Sequence, residues 1–124
     1  KKMNIDIMRW KKKKLNIINN LVKKFGALPA KGFPGRAAIL IKMLNLDNQH
    51  ISAIYEQTKS NKVGNYVPGT KIPIVSDIGL KKINRKIPII NLAWHINKEI
   101  KTYLKKNFIN NNIIDILSQQ DFKK

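Results

Sequence analysis

Gly32-Phe33-Pro34-Gly35-Arg36-Ala37 stands between an apolar stretch and a helical one. In an open parallel sheet, ligands bind beyond the carboxyl ends of the strands, so a loop of this kind is where a site belongs. Glycine there lets a ligand approach the backbone, and the N-terminus of the following helix favours an anion. Arg36 in that position can fork onto a phosphate or a carboxylate. Glu56 follows Gly35 by 21 residues, about the interval at which a dinucleotide-binding unit places its ribose-binding acid. The glycine pattern is not G-x-G-x-x-G, which speaks against a dinucleotide. A plainer reading stands beside this one: Gly35 serves only the turn, and Arg36 pairs with Glu56.

Trp94-His95 closes a second apolar run. His95 can orient a ligand, donate to a phosphate, or exchange a proton near neutral pH. It can equally cap the next helix while Trp94 fills the core. His50 precedes a strand at the other end of the sheet and reads as surface. No pair of carboxylates, no Ser/His/Asp set and no His/Asp metal spacing stands out, so neither a catalytic group nor a metal ligand is assigned.

The elements that must position these residues follow from apolar spacing. Residues 4–25 read as a helix, with Met8, Leu15, Ile18, Val22 and Phe25 on its stripe and Ile7, Ile17 and Leu21 widening it. Lys11 falls on that stripe and should snorkel, while Lys11–Lys14 as a run reads as a solvated face. A short strand is expected to end near Phe33, and residues 37–46 read as a helix. Residues 51–55 read as a buried strand with Ile51, Ala53 and Tyr55 on one face and Ile54 on the other. A polar loop over 58–70 leads to an edge strand at 72–75, where Pro73 withholds a ladder donor. Ser76-Asp77 can cap a short helix. Residues 87–94, apolar except for Asn91, read as a parallel strand covered on both faces. A helix from Ile96, a last strand at 112–117 and a polar tail follow. This alternation predicts a three-layer α/β domain on a mostly parallel sheet, preceded by an N-terminal helix.

The chain has 124 residues, of which 43% are hydrophobic, enough for one core. Its opening residue is not Met, which fits a piece of a longer protein or a trimmed product. No secretory segment or membrane-length apolar run is present. Cysteine is absent, which is compatible with the cytoplasm. Twenty-five basic against seven acidic residues give a net charge of +18. Only Arg9, Arg36 and Arg85 are arginines, whereas nucleic-acid readers favour arginine for bidentate contacts. A lysine excess spread along the chain reads as a solvated surface rather than a nucleic-acid footprint.

Tyr66-Val67-Pro68-Gly69-Thr70-Lys71-Ile72-Pro73-Ile74, with Lys62 and Gly64 upstream, resembles a segment of the C-terminal domain of C-methyltransferases acting on nucleotide-linked deoxysugars. Pro34-Gly35-Arg36-Ala37 is similar to that family's small-residue turn after the first strand. Glu56 falls at its acidic second-strand end, and Ala93-Trp94 with Glu99-Ile100 is similar to its Ala-Trp strand end and downstream Glu-Ile. The resemblance implies a Rossmann-like domain over residues 26–124, joined through a linking helix, residues 1–25, to the rest of a three-domain enzyme. S-adenosylmethionine, zinc and the catalytic base would belong to other parts, and no cofactor would bind within this chain. Alone it would be inactive. Its partners would be the nucleotide-sugar and the enzyme's own central domain, with no membrane span. The substrate-binding set implied is Gly35, Arg36, Glu56, Lys62, Tyr66, Pro68, Gly69, Thr70, Trp94 and His95. In that set Arg36 and Lys62 meet a diphosphate, Tyr66 or Trp94 stacks on a base, and Pro68 and Gly69 shape the turn. Two rivals remain: a stand-alone basic nucleic-acid-binding module, and a dinucleotide-binding domain that would bind NAD.

Overall fold

The apolar positions of the first 25 residues recur at helical spacing and form α1, Lys2–Phe25, in a computed structural model that describes residues 2–118. Trp10, Lys14 and Ile18, one helical turn apart, are its fully buried line. Trp10 Nε1 donates to the Ile116 carbonyl at 2.9 Å, and Lys14 Nζ donates to the Asp115 carbonyl at 2.8 Å. These bonds turn the helix so that Met8, about 200° around the axis from Trp10, is 70% exposed. The expectation that Met8 lies on the buried stripe is therefore corrected, because a lysine occupies a core position there. Lys11 is half-buried, and Lys12 and Lys13 are exposed.

The strands are β1 (Leu28–Lys31), β2 (Ile51–Glu56), β3 (Ile74–Ser76), β4 (Ile89–Asn91) and β5 (Ile113–Asp115). They form one sheet in the order β3-β2-β1-β4-β5, and every pairing is parallel. The helices are α2 (Ala37–Met43) and α3 (Asn97–Lys106), with 3₁₀ segments η1 (Asp77–Lys82) and η2 (Trp94–Ile96). On one face α1 and α2 cover Leu28, Ala30, Ile54 and Ile74 through Trp10, Ile18, Ala37 and Ile41. On the other, Leu80 of η1 and Leu104 of α3 pack with Ile89 and Ile109. This is the expected three-layer α/β architecture, doubly wound about its middle strands in the Rossmann-like manner.

Several expected elements are shorter, each for a local reason. Gly32 adopts φ +83° and ends β1 two residues before Phe33. Asn45, at φ 55°, closes α2, and the Leu46 N–H returns to the Ile41 carbonyl at 3.0 Å. The register of β1 against β2 slips between Leu28 and Pro29, giving Ser52 as an extra residue. Ile51 and Ile54 consequently share one core, while Tyr55 packs against the other; strict alternation had separated the two isoleucines. Residues 87–94 supply only three strand residues, because the Asn91 side chain turns the chain at Leu92 (below). The last strand stops at Asp115, and from residue 119 on the polar tail lies outside the described residues. No helix among the described residues is long and apolar enough to cross a membrane.

Candidate functional site

Strands β1 and β4 are neighbours, but the chain leaves them toward opposite faces, through α2 and α3. A crevice opens at such a switch point. Here it is a cleft of about 540 Å³ lined by Pro34, Gly35, Arg36, Trp94 and His95. The two loops meet closely at its base. A Cβ on Gly32 would lie 3.2 Å from Ala93 Cβ, so the positive φ favours glycine and the close neighbour adds to that preference.

Two side chains hold the first loop by the same residue. The Phe33 N–H donates to Glu56 Oε1 at 3.1 Å, and Lys62 Nζ donates to the Phe33 carbonyl. The Lys62 ammonium also lies 5.5 Å from the centroid of the Phe33 ring. The pairing of Arg36 with Glu56 does not occur: no ion pair joins them, and Arg36 is exposed. Since α2 has only seven residues, the guanidinium and not a long helix dipole carries the positive charge of the cleft.

The second loop is shaped by Asn91, which is fully buried. Its Oδ1 accepts the Ala93 N–H at 3.0 Å, and its Nδ2 donates to Asp115 Oδ1 at 2.9 Å. Asp115 Oδ2 accepts from Asn97 Nδ2 at 3.2 Å, which ties the start of α3 to β5. The polar exception in the apolar run is therefore the residue that stops β4 and presents Trp94 and His95. Their rings meet edge to face at 5.8 Å and 79°; Trp94 is half-buried and His95 exposed.

The remaining expected residues lie elsewhere. Thr70 N–H and Oγ1 both return to the Val67 carbonyl, at 3.0 Å and 2.9 Å. With Pro68 second and Gly69 third at φ +77°, these residues make a proline-glycine turn. Tyr66 bridges Pro73 in antiparallel fashion, so the segment is a small hairpin, and Val67 and Ile72 plug it into the core. Pro68, Gly69 and Thr70 line a separate cavity of about 580 Å³ against α2, where Lys42 is the only charged side chain. Tyr66 is 61% exposed. Of the ten expected residues, Gly35, Arg36, Trp94 and His95 come together, Glu56 and Lys62 support them through Phe33, and the hairpin residues stand apart.

A comparison with protein-family models matches residues 1–114 to the C-methyltransferase C-terminal domain. The chain belongs to this family. No curated protein matches it.

One cluster in this C-methyltransferase domain was not legible in its sequence. Lys31, 3% exposed, reaches Asp77 Oδ2 at 3.3 Å, and Tyr103 Oη donates to the same oxygen at 2.8 Å. The Lys31 ammonium also sits 5.1 Å from the Tyr103 ring centroid. The hydrogen bond to Asp77, then burial, then the Asp77 charge push the Tyr103 hydroxyl up to about 12. Burial alone raises Tyr55. Ser76 caps η1 as expected, accepting the Ile78 N–H at 3.3 Å, but Asp77 turns inward to Lys31. Lys31 ends the otherwise apolar β1, and nothing in the sequence joins it to Asp77.

Proposed function

We propose that the cleft between the β1 and β4 loops holds part of the nucleotide-sugar substrate of an S-adenosylmethionine-dependent sugar C-methyltransferase. The observation that carries this reading is the convergence of Arg36, Trp94 and His95 at the switch point of a C-methyltransferase C-terminal domain. Arg36, exposed and without a carboxylate partner among the described residues, offers a diphosphate two parallel N–H donors. The half-buried Trp94 offers a planar base an aromatic face. His95 adds a donor or acceptor beside them. Glu56 and Lys62 position Phe33, and through it the Pro34-Gly35-Arg36 turn. Chemistry at the sugar belongs, on this reading, to another domain of the enzyme, and this domain closes one wall of the cleft.

S-adenosylmethionine supplies the methyl group in such an enzyme and, on this reading, is held by another domain. A dinucleotide fits poorly here: Glu56 Oε1 is bonded to the Phe33 N–H of the loop after β1, and that loop has no G-x-G-x-x-G pattern. The cytoplasm is the compartment in which we place the enzyme. Thermal shift of the chain with a nucleotide-sugar, NAD and an oligonucleotide tests the function, since a ligand that binds only the native state raises its stability. A rise with the nucleotide-sugar alone supports the proposal. A rise with NAD, or a salt-sensitive rise with the oligonucleotide, overturns it.

A further inference from the structure

A third cavity, of about 280 Å³, opens between η1 and the end of α3. It shares no lining residue with the cleft. Asp77 lines it with a side chain only 10% exposed. Both of the Asp77 side-chain contacts, from Lys31 and Tyr103, fall on Oδ2, so among the described residues Oδ1 has no hydrogen-bond partner. No fully buried side-chain oxygen or nitrogen among those residues is left unsatisfied. The free Oδ1 therefore keeps some accessible surface, and Asp77 is one of the residues that line this cavity.

The surroundings define what Oδ1 would meet. Lys31 neutralises Asp77, and Lys81 adds a positive charge to the wall, so a cation is a poor occupant. Thr58 brings a hydroxyl, and Leu80 and Ile109 bring an apolar surface. The volume is below that of a drug-sized pocket and suits a single ring. Phe108 stands between the lining residues Asn107 and Ile109, at φ 62° and 87% exposed. Its left-handed backbone closes α3 as a helix C-cap, the Phe108 N–H returning to the Lys105 carbonyl at 3.0 Å and the Ile109 N–H to the Leu104 carbonyl at 2.8 Å. The cap accounts for the backbone and leaves the Phe108 ring in solvent, next in sequence to two residues of the wall.

We propose that this cavity binds a small uncharged ring compound bearing hydroxyl or amide N–H donors, with the free Asp77 oxygen as its acceptor. Amide chemical shifts of the 124-residue chain, titrated with methyl α-glucoside and with uridine, test this. At least one probe should give saturable shifts at Thr58, Lys81, Tyr103 and Asn107. Ile78 lines the cavity and is 65% exposed, so Ile78→Trp fills the mouth and keeps the fold; it should weaken binding at least tenfold. Phe108→Gly should raise the melting temperature of the free chain and weaken binding severalfold. No saturable shift with either probe, or unchanged affinity in both variants, overturns the site.

Discussion

Glu56 accepts the Phe33 N–H at 3.1 Å, and this bond commits the acidic end of β2 to the loop after β1. The acid stands where a dinucleotide-binding fold would read a ribose, yet its visible work is to hold a peptide of its own chain. With Lys62 on the Phe33 carbonyl, a segment distant in sequence sets the shape of the cleft.

Removing that acceptor should destabilise the domain. Glu56→Ala leaves the Phe33 N–H without a partner, at a cost of about 1–3 kcal/mol. Glu56→Gln keeps an acceptor oxygen and should cost less. Urea unfolding measures both, and exchange of the Phe33 amide should quicken selectively in the alanine variant. Unchanged stability and exchange in Glu56→Ala would show that the bond does not form.

The Lys31–Asp77 pair should behave as a buried ion pair. Asp77→Ala strands a cation that is 3% exposed and should cost about 3–5 kcal/mol. Replacing both partners by apolar residues, as Lys31→Met with Asp77→Leu, should cost much less than the single change. A double variant as unstable as the sum of the singles contradicts the pairing.

Tyr103 should titrate late and couple to stability in alkali. Its pKa, 10.0 when unperturbed, is raised to about 12 in the fold, so the folded state holds the proton more tightly than the unfolded state. Its contribution is therefore complete below pH 10 and is lost as pH rises through about 12. Ultraviolet titration should show, beside the raised Tyr55, a late tyrosinate that disappears in Tyr103→Phe, and that variant should lose less stability across the same window.

Gly32→Ala should be unfavourable for two separable reasons. The φ of +83° strains any other residue, and the new Cβ would sit 3.2 Å from Ala93 Cβ. The loss should be on the order of 1–2 kcal/mol. Adding Ala93→Gly should relieve the contact and not the backbone strain, so stability returns only in part. Full recovery in the double variant would assign the whole effect to the contact.

The sequence showed the layers well and the side-chain commitments poorly. Apolar runs place strands and helices because burial requires them, so the alternation that predicts an α/β sheet is visible locally. Lys14 hides the true face of α1, since periodicity reads lysine as outward and its bond to the Asp115 carbonyl is made across the fold. Asn91 read as an exception in a strand, and it is the device that ends one. Gly35, Arg36, Trp94 and His95 were legible because the carboxyl ends of parallel strands are where a fold of this kind meets a ligand. Lys31 and Asp77 were not, because nothing along the chain announces a pair made between two strand ends. The proline-glycine turn marked the family and lies on its own hairpin, away from the cleft.

The central claim is tested most directly by a residue-resolved titration of the chain with a nucleotide-sugar. The account predicts saturable shifts at Gly35, Arg36, Trp94 and His95, and affinity at least tenfold lower in Arg36→Ala, an exposed change that leaves the fold intact. Saturable shifts that bypass these four residues, or binding indifferent to Arg36, would contradict it.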